Sequence, residues 1–455
     1  MRRFIFIGFV LVAVLTACTK EHFEYQEDGP QEGQSETRLF EEKVKAFALS
    51  SFTDISKGRG ATLFGLPNVE SVEPITSEII QRTGTERDTV AYIVNFDQNA
   101  SIVIAGSRAL PLTTVAISDS RMAMIDTVWN KGLATFMKLL PNYYYQELGR
   151  RIIAFGLASA EEVVNFTRND MQQLQDQLSV YEDFPTPPTT FNLNDYLTWV
   201  PQTDQTITLE REILLSAKWG QRAPFNLLAP LINGELPPAG CVSIAIAQIT
   251  TYYEHPKVLE GQTWDWDILS NDSEDDFKTD EEKYAVAYYV RTIGNYCNNY
   301  WGLTGTGANP YIVPSVFTRL GYYRSDLIPY DRILVEESLS AKRPFFIGGY
   351  GYPGGHAWVI DGTMKTSYKI HCYNKKGDLI ATWTVYPTYY HCNWGAEGRN
   401  NGFYKKDVFD LINGIVYDDN GDIANVPPET PAYYFTEDIR IIKDIKPIIL
   451  QTNEN

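Results

Sequence analysis

The run "PPAGCVSIAIAQITTYYEHP", Pro237 to Pro256, constrains the fold more than any other stretch of the chain. Val242 to His255 reads as about four helical turns, stopped by Pro256. Ile244, Ala245, Ile246, Ala247 and Ile249 make it apolar nearly all round. A helix of that kind has to lie centrally, with neighbours on every side. Pro237, Pro238 and Gly240 fix the chain entering it, and Cys241 stands at its head. There the unpaired backbone N–H groups and the positive end of the helix dipole favour a thiolate. The same N–H groups suit a developing oxyanion on a substrate carbonyl. A helix-start cysteine is also an ordinary structural residue, so the position alone leaves both readings open.

A chain of 455 residues is long enough for two or three domains. Its 29 tyrosines and 24 prolines suit a loop-rich, partly β protein better than a helical bundle. The net charge of −18 argues against nucleic acid as a partner and against electrostatic docking on anionic lipid. Arg2 and Arg3 followed by apolar Phe4 to Leu15 read as a signal peptide over 1–17, too short to span a bilayer. Its end, Leu15-Thr16-Ala17-Cys18, resembles a bacterial lipobox. Cys18 is then expected to be lipidated and to become the mature N-terminus. The resulting expectation is an exported lipoprotein, held to the membrane through its lipid anchor only, at the outer membrane or cell surface of a Gram-negative bacterium. Ordinary cleavage after Ala17 with release is the alternative.

Residues 18–38, rich in Glu, Gln and Gly, read as a disordered tether. A first folded domain is expected over 39–183. In it "LFEEKVKAFALSSF" places Phe40, Val44, Phe47 and Ala48 at helical spacing, and strands are expected at Val90–Phe96, Ser101–Ala105 and Thr113–Ile117. Helices are expected from Met122 to Leu148 and from Ala160 to Tyr181. The Pro- and Thr-rich "EDFPTPPTTFN" marks a linker, taken as 184–208, and a second domain follows over 209–455. That domain holds the Cys241 helix, an acidic loop "SNDSEDDFKTDEEK", a helix near Tyr284–Tyr296, a Gly-rich "WGLTGTGANP", and β signals from Phe345 to Phe403.

A thiolate nucleophile needs an imidazole, and the chain has five histidines. His22 lies in the tether, and His255 ends the Cys241 helix, about 20 Å away at the rise of a helix. His356 stands in "GGYGYPGGHAWVIDG", opening a strand after glycines, Gly355 among them, that let a backbone or substrate come close. It is the expected general base. In "YYHCNWGAEGRNNGFY", Asn393 is the candidate to orient the imidazole, and Trp394 to shield the pair from water; a hairpin with a core Trp is the plainer reading. His371-Cys372 and His391-Cys392 do not suit a zinc site, because neighbours on a strand point to opposite faces. A Cys372–Cys392 disulfide is open to an exported chain.

Taken together, these segments resemble the streptopain family of papain-like cysteine peptidases, secreted bacterial enzymes made as zymogens. "WGQRAPFN" with "AGCVSIAIAQITTYYEHP" looks like the nucleophile region of that family, "GGHAWVIDG" like its histidine strand, and "HCNWGAEGRNNGFY" like its Asn-Trp-Gly segment. "TGTGAN" falls where the family has a Gly/Ser-rich loop, and "AYIVNFDQNASIVIAGSRALPLTTVAIS" resembles its propeptide. The resemblance implies an α+β, papain-like fold of two subdomains preceded by a smaller α+β propeptide domain. It implies a cysteine endopeptidase whose partners are protein or peptide substrates and its own propeptide as intramolecular inhibitor, with no metal or organic cofactor. By the same resemblance Cys241 is the nucleophile, His356 the base and Asn393 its orienting group. Gln221 donates to the oxyanion beside the Cys241 N–H, and Gly240, Gly355 and Trp394 wall the site. Two departures stand out: Ser101-Ile102-Val103-Ile104 stands where the family propeptide usually has glycine and phenylalanine, and Ala396 and Glu397 replace a tryptophan and a glycine; Thr363 to Tyr389 is also an insertion, read as an extra hairpin. Alternatives are a Cys-His hydrolase acting on cell-wall peptides, a transglutaminase, or an inactive surface lipoprotein serving as a binding or inhibitory module.

Overall fold

The computed structural model describes residues 32–57, 67–81, 84–128, 130–163, 166, 168–179, 200–203, 206–350, 355–374, 376–409 and 438–448. The signal peptide with Cys18, and most of the linker, lie outside the described residues. Two compact units divide the chain, Met1–Lys43 and Val44–Asn455. No described helix is long and apolar enough to cross a membrane.

The chain opens with helix α1, Glu32–Lys57, which begins inside the stretch read as tether. From its second half Val44, Ala48 and Phe52 are buried, a spacing of four that puts them on one face. Strands β1 (Val69–Gln81), β2 (Gly84–Phe96), β3 (Ala100–Ser107) and β4 (Leu110–Ser118) follow as an antiparallel meander. The three expected strands are β2, β3 and β4. β1 escaped notice because "VESVEPITSEIIQ" mixes Pro and three Glu into a weak alternation.

Helix α2 spans Lys131–Ala154 and α3 Arg168–Ser179. The stretch Met124–Val128, expected as the start of one long helix, is a separate 3-10 turn. Asn130 resets the chain: its side chain accepts the Leu133 N–H at 3.0 Å and caps α2.

Strands β5 (Val200–Thr203) and β6 (Ile207–Ile213) come next, so described residues at the end of the expected linker are strand, not loop. Helix α4 is Cys241–Tyr253, with Val242 through Thr251 all buried, as its apolar composition requires. Helix α5 is Asp280–Tyr296. Its first turn is the "DEEK" that composition assigned to a solvated loop. Thr279 caps it and Glu282 returns the bond in a capping box, so these acidic residues serve the helix N-terminus. Helix α6 (Val313–Arg319) leads to β7 (Ile328–Pro329), α7 (Arg332–Ser340) and β8 (Phe345–Tyr350).

Strand β9, His356–Tyr373, organises the rest. It pairs antiparallel with β8, with β6, with β5, with β10 (Leu379–Val385) and with β11 (Thr388–Asn393). The insertion is thus a hairpin that extends β9. Strands β12 (Gly402–Lys405) and β13 (Asp438–Ile442) complete a 13-stranded sheet, ordered β1-β2-β3-β4-β12-β11-β9-β8-β13-β7.

The alternation of β9 divides the molecule. Ala357 and Val359 face the core built on α4, with Ile244, Ile246, Tyr289 and Phe317. Trp358 and Ile360 face a second core with Leu133, Phe136, Tyr404 and Phe409. Residues of the first expected domain therefore supply more than half of the buried side chains in that second core. The two expected domains also share a strand pair, β4 with β12, in which Gly402 lies opposite Ser118. A Cβ at Gly402 would overlap Ile117 O and come within 2.9 Å of the Ser118 Cα. Gly402→Ala is therefore expected to weaken this joint by about 1–3 kcal/mol. Hydrogen exchange should then speed up at amides 116–118 and 402–404 while the amides of α4 keep their protection.

Candidate active site

Gly240 precedes α4 with φ of +99°, backbone that glycine adopts freely, and it brings no side-chain cap. The helices at Asn130, Thr279 and Asp331 are capped by side chains; the Cys241 helix is not. Its first-turn N–H groups thus stay available to negative charge. The start of α4 is braced instead from outside. Asn299 Nδ2 donates to Ala239 O at 3.1 Å and to Ser243 Oγ at 2.9 Å. Thr306, in the Gly-rich stretch, packs against Gly240.

His356, the first residue of β9, is buried next to Cys241, close enough for charge and side-chain hydrogen bonding between them to shift both groups. Burial pushes that thiol up. The His356 charge and hydrogen bond, with the N–H groups of Ala357 and Val242, outweigh burial, and the thiol titrates below its ordinary range. Burial pulls the imidazole down, but the Cys241 charge and hydrogen bond and the Trp394 carbonyl push it above its ordinary value against Lys131. The arrangement favours a thiolate–imidazolium pair. Cys297, Cys372 and Cys392 go the other way, raised by burial, with Cys297 pushed up to about 12.

The orienting group differs from the expected one. His356 Nε2 lies 2.9 Å from Trp394 O; a carbonyl only accepts, so Nε2 carries the proton and Nδ1 is left for the thiol. Asn393 does not take this part. Its Nδ2 donates to Ala217 O at 2.6 Å and its Oδ1 accepts the Gly395 N–H at 3.3 Å. The reason is strand parity: on β11 successive side chains alternate, and the Asn393 side chain is turned toward the segment leading into residue 219. Its backbone neighbour presents the carbonyl instead. Trp394 itself is fully buried, its Nε1 donating to Asn400 O at 3.0 Å, its ring centroid 5.1 Å from that of Trp358.

Gln221 is held beside the Pro-Pro-Ala-Gly turn, its carbonyl accepting the Ala239 N–H at 2.8 Å. Gly355 is exposed just before β9. Cys372 and Cys392 are free thiols at different places on the sheet: Cys392 faces Ile360, Cys372 faces Ala381 and Pro201. The histidines beside them serve separate partners, His371 with Thr382 and His391 with Asp361 at 2.6 Å.

Sequence reasoning missed the residues that cover this site. The start of α2 lies on it: a Cβ at Gly132 would overlap the Trp394 ring and come within 3.0 Å of His356 Cδ2. Asn130 donates to Arg399 O and to Asn400 Oδ1, each at 3.3 Å, and Lys131 sets its charge near His356. "WNKGLATF" carries the signal, an N-cap Asn followed by Gly, inside the stretch Met122 to Leu148 expected as one helix.

Residues 219–404 match the Peptidase C10 family. This is the streptopain family of cysteine peptidases that the motifs resemble. Streptopain of Streptococcus pyogenes is 24% identical over 235 residues, 42% of this chain and 53% of its own. The thiol protease/hemagglutinin PrtT of Porphyromonas gingivalis is 24% identical over 217 residues, 41% of this chain and 22% of its own. The streptopain match thus spans about half of that relative's length. Among solved structures, a fragment of prointerpain A from Prevotella intermedia aligns with TM-score 0.44 and 18% identity, over 82% of this chain and 98% of its own. Active interpain A of the same organism aligns with TM-score 0.35 and 23% identity, over 52% and 95%. Cys241, His356, Asn393, Trp394 and Gln221 all fall inside the matched stretch.

His356→Ala removes the main support of the thiolate. At pH 6.5 its Cys241 is expected to react with iodoacetamide at least about tenfold more slowly than in the wild type. The gap should close as pH rises through the ordinary cysteine range. Asn393→Ala strands Ala217 O and should cost about 1–3 kcal/mol of stability, read as a lower melting temperature. The pH dependence of Cys241 alkylation should stay that of the wild type, because Asn393 does not touch the imidazole.

Proposed function

We propose that the chain is an exported, lipid-anchored cysteine endopeptidase made as a zymogen. The Cys241–His356 pair at an uncapped helix start, each group shifted toward its charged form by the other, is the observation that carries the reading. In the proposed reaction the Cys241 thiolate attacks the peptide carbonyl. The oxyanion is held by the Cys241 N–H and the Gln221 side chain. His356, kept in place by the Trp394 carbonyl, gives its proton to the leaving amine and then draws one from the water that releases the acyl-enzyme. No step in this sequence calls on a metal or organic cofactor.

The N-terminal region is the proposed propeptide. Asn130, Lys131 and Gly132 occupy the space over His356 and Trp394 that a substrate would need, which supports inhibition in the intact chain. Activation cleavage is placed in the linker, ahead of β5, since β5 and β6 are hydrogen-bonded to β9 and would remain with the enzyme. The lipobox at Cys18 supports anchoring by acyl chains.

The test is incubation of the chain from residue 19 onward under reducing conditions, beside Cys241→Ala. Self-processing is followed by mass spectrometry and activity by casein cleavage. The expected result is a cut upstream of Val200 and iodoacetamide-sensitive casein cleavage in the wild type alone. If the wild type is silent, a trypsin pulse to remove the propeptide decides. Activity then means activation by another protease, and continued silence overturns the endopeptidase in favour of a binding module.

A further inference from the structure

The turn 395–401 departs from the family pattern at Ala396 and Glu397, and the structure places Glu397 between the two halves of the site. The turn starts at Trp394, whose carbonyl holds His356. It crosses to the nucleophile side, where the Glu397 N–H donates to Trp219 O at 3.2 Å. The Glu397 side chain lies on Gly220, the residue before Gln221: a Cβ there would overlap Glu397 Cγ and sit 2.8 Å from Oε1. Glu397 holds a φ of +61°, backbone that a residue with a side chain enters only at a cost. His356 protonates the leaving amine, so the residues after the scissile bond must lie on the His356–Trp394 side. The turn that carries Glu397 starts on that side, three residues earlier at Trp394.

Charges of both signs meet on this turn, with Lys218 packed at Gly398 and acidic groups near Glu397. The Glu397 side chain is 20% exposed and its partner Arg399, at 2.5 Å, is 66% exposed. Glu274 is raised by burial and then by the charges of Glu397 and Asp275, with Arg399 alone opposing. A partly buried carboxylate whose ion-pair partner is a long, solvated side chain exchanges it readily for another cation. The chain's own covering segment also brings a cation, Lys131, to His356.

We propose that Glu397 selects substrates with Lys or Arg in the first two positions after the scissile bond. This rests on the endopeptidase reading above. The test uses quenched fluorescent peptides identical except for Lys, Gln or Glu at those positions. The chain is self-processed, or cut by a trypsin pulse stopped with a trypsin inhibitor. Wild type should cleave the Lys peptide with a kcat/KM about fivefold above the Glu peptide, mainly through KM, and the ratio should shrink in high salt. Glu397→Gln should bring the ratio to about one, and Arg399→Ala should raise it by freeing the carboxylate. A wild-type ratio of one, or a ratio unchanged in Glu397→Gln, overturns the proposal while leaving the peptidase intact. No cleavage of any peptide by the wild type sinks the peptidase reading and this inference with it.

Discussion

The chemistry of the candidate site depends on one pairing, the Cys241 thiol beside the His356 ring. It forms at the seam between a helical core and a sheet. Cys241 arrives at the head of a helix that its apolar residues force into the centre of one core, and His356 arrives as the first residue of the longest strand. The alternation of β9 keeps the seam fixed. Ala357 and Val359 lock the strand onto α4, while Trp358, on the other face, stacks on His356 from behind with ring centroids 6.3 Å apart. A slip of one residue would turn both faces over and take the imidazole from the thiol.

The region before the linker is bound into the same architecture in three physical ways. It extends the sheet through β4 and β12, it fills one face through Leu133 and Phe136, and it caps the site with the start of α2. Asn130 joins these roles, since its oxygen caps the helix and its nitrogen grips Arg399 and Asn400. The helix start and Lys131 both set positive charge near the imidazole, which disfavours its cationic form. In the proposed zymogen, such a segment opposes the pair electrically as well as sterically.

The Trp394 carbonyl shows how a backbone group does work that residue types suggest for a side chain. An asparagine next to a tryptophan invites an orienting role, yet the imidazole needs only an acceptor at the right place. The buried Trp394 ring, fixed by Asn400, Tyr404 and Trp358, holds that carbonyl still. Asn393 is spent on joining β11 to the segment before Trp219, which sets the position of the Gln221 loop.

The sequence by itself determined the central helix and its cysteine, the histidine strand, the α+β class and the match of residues 219–404 to peptidase motifs. These are legible because helix starts, apolar periodicity and glycine-flanked strands are local properties of the chain. Tertiary structure decided which acceptor meets the imidazole, that "DEEK" begins a helix, that the linker's end pairs with β9, and that Gly132 rests on Trp394. Each of those depends on which surfaces meet across long separations in the chain. Adjacent residues can propose the partners of a contact, but only packing sets which atoms come within reach.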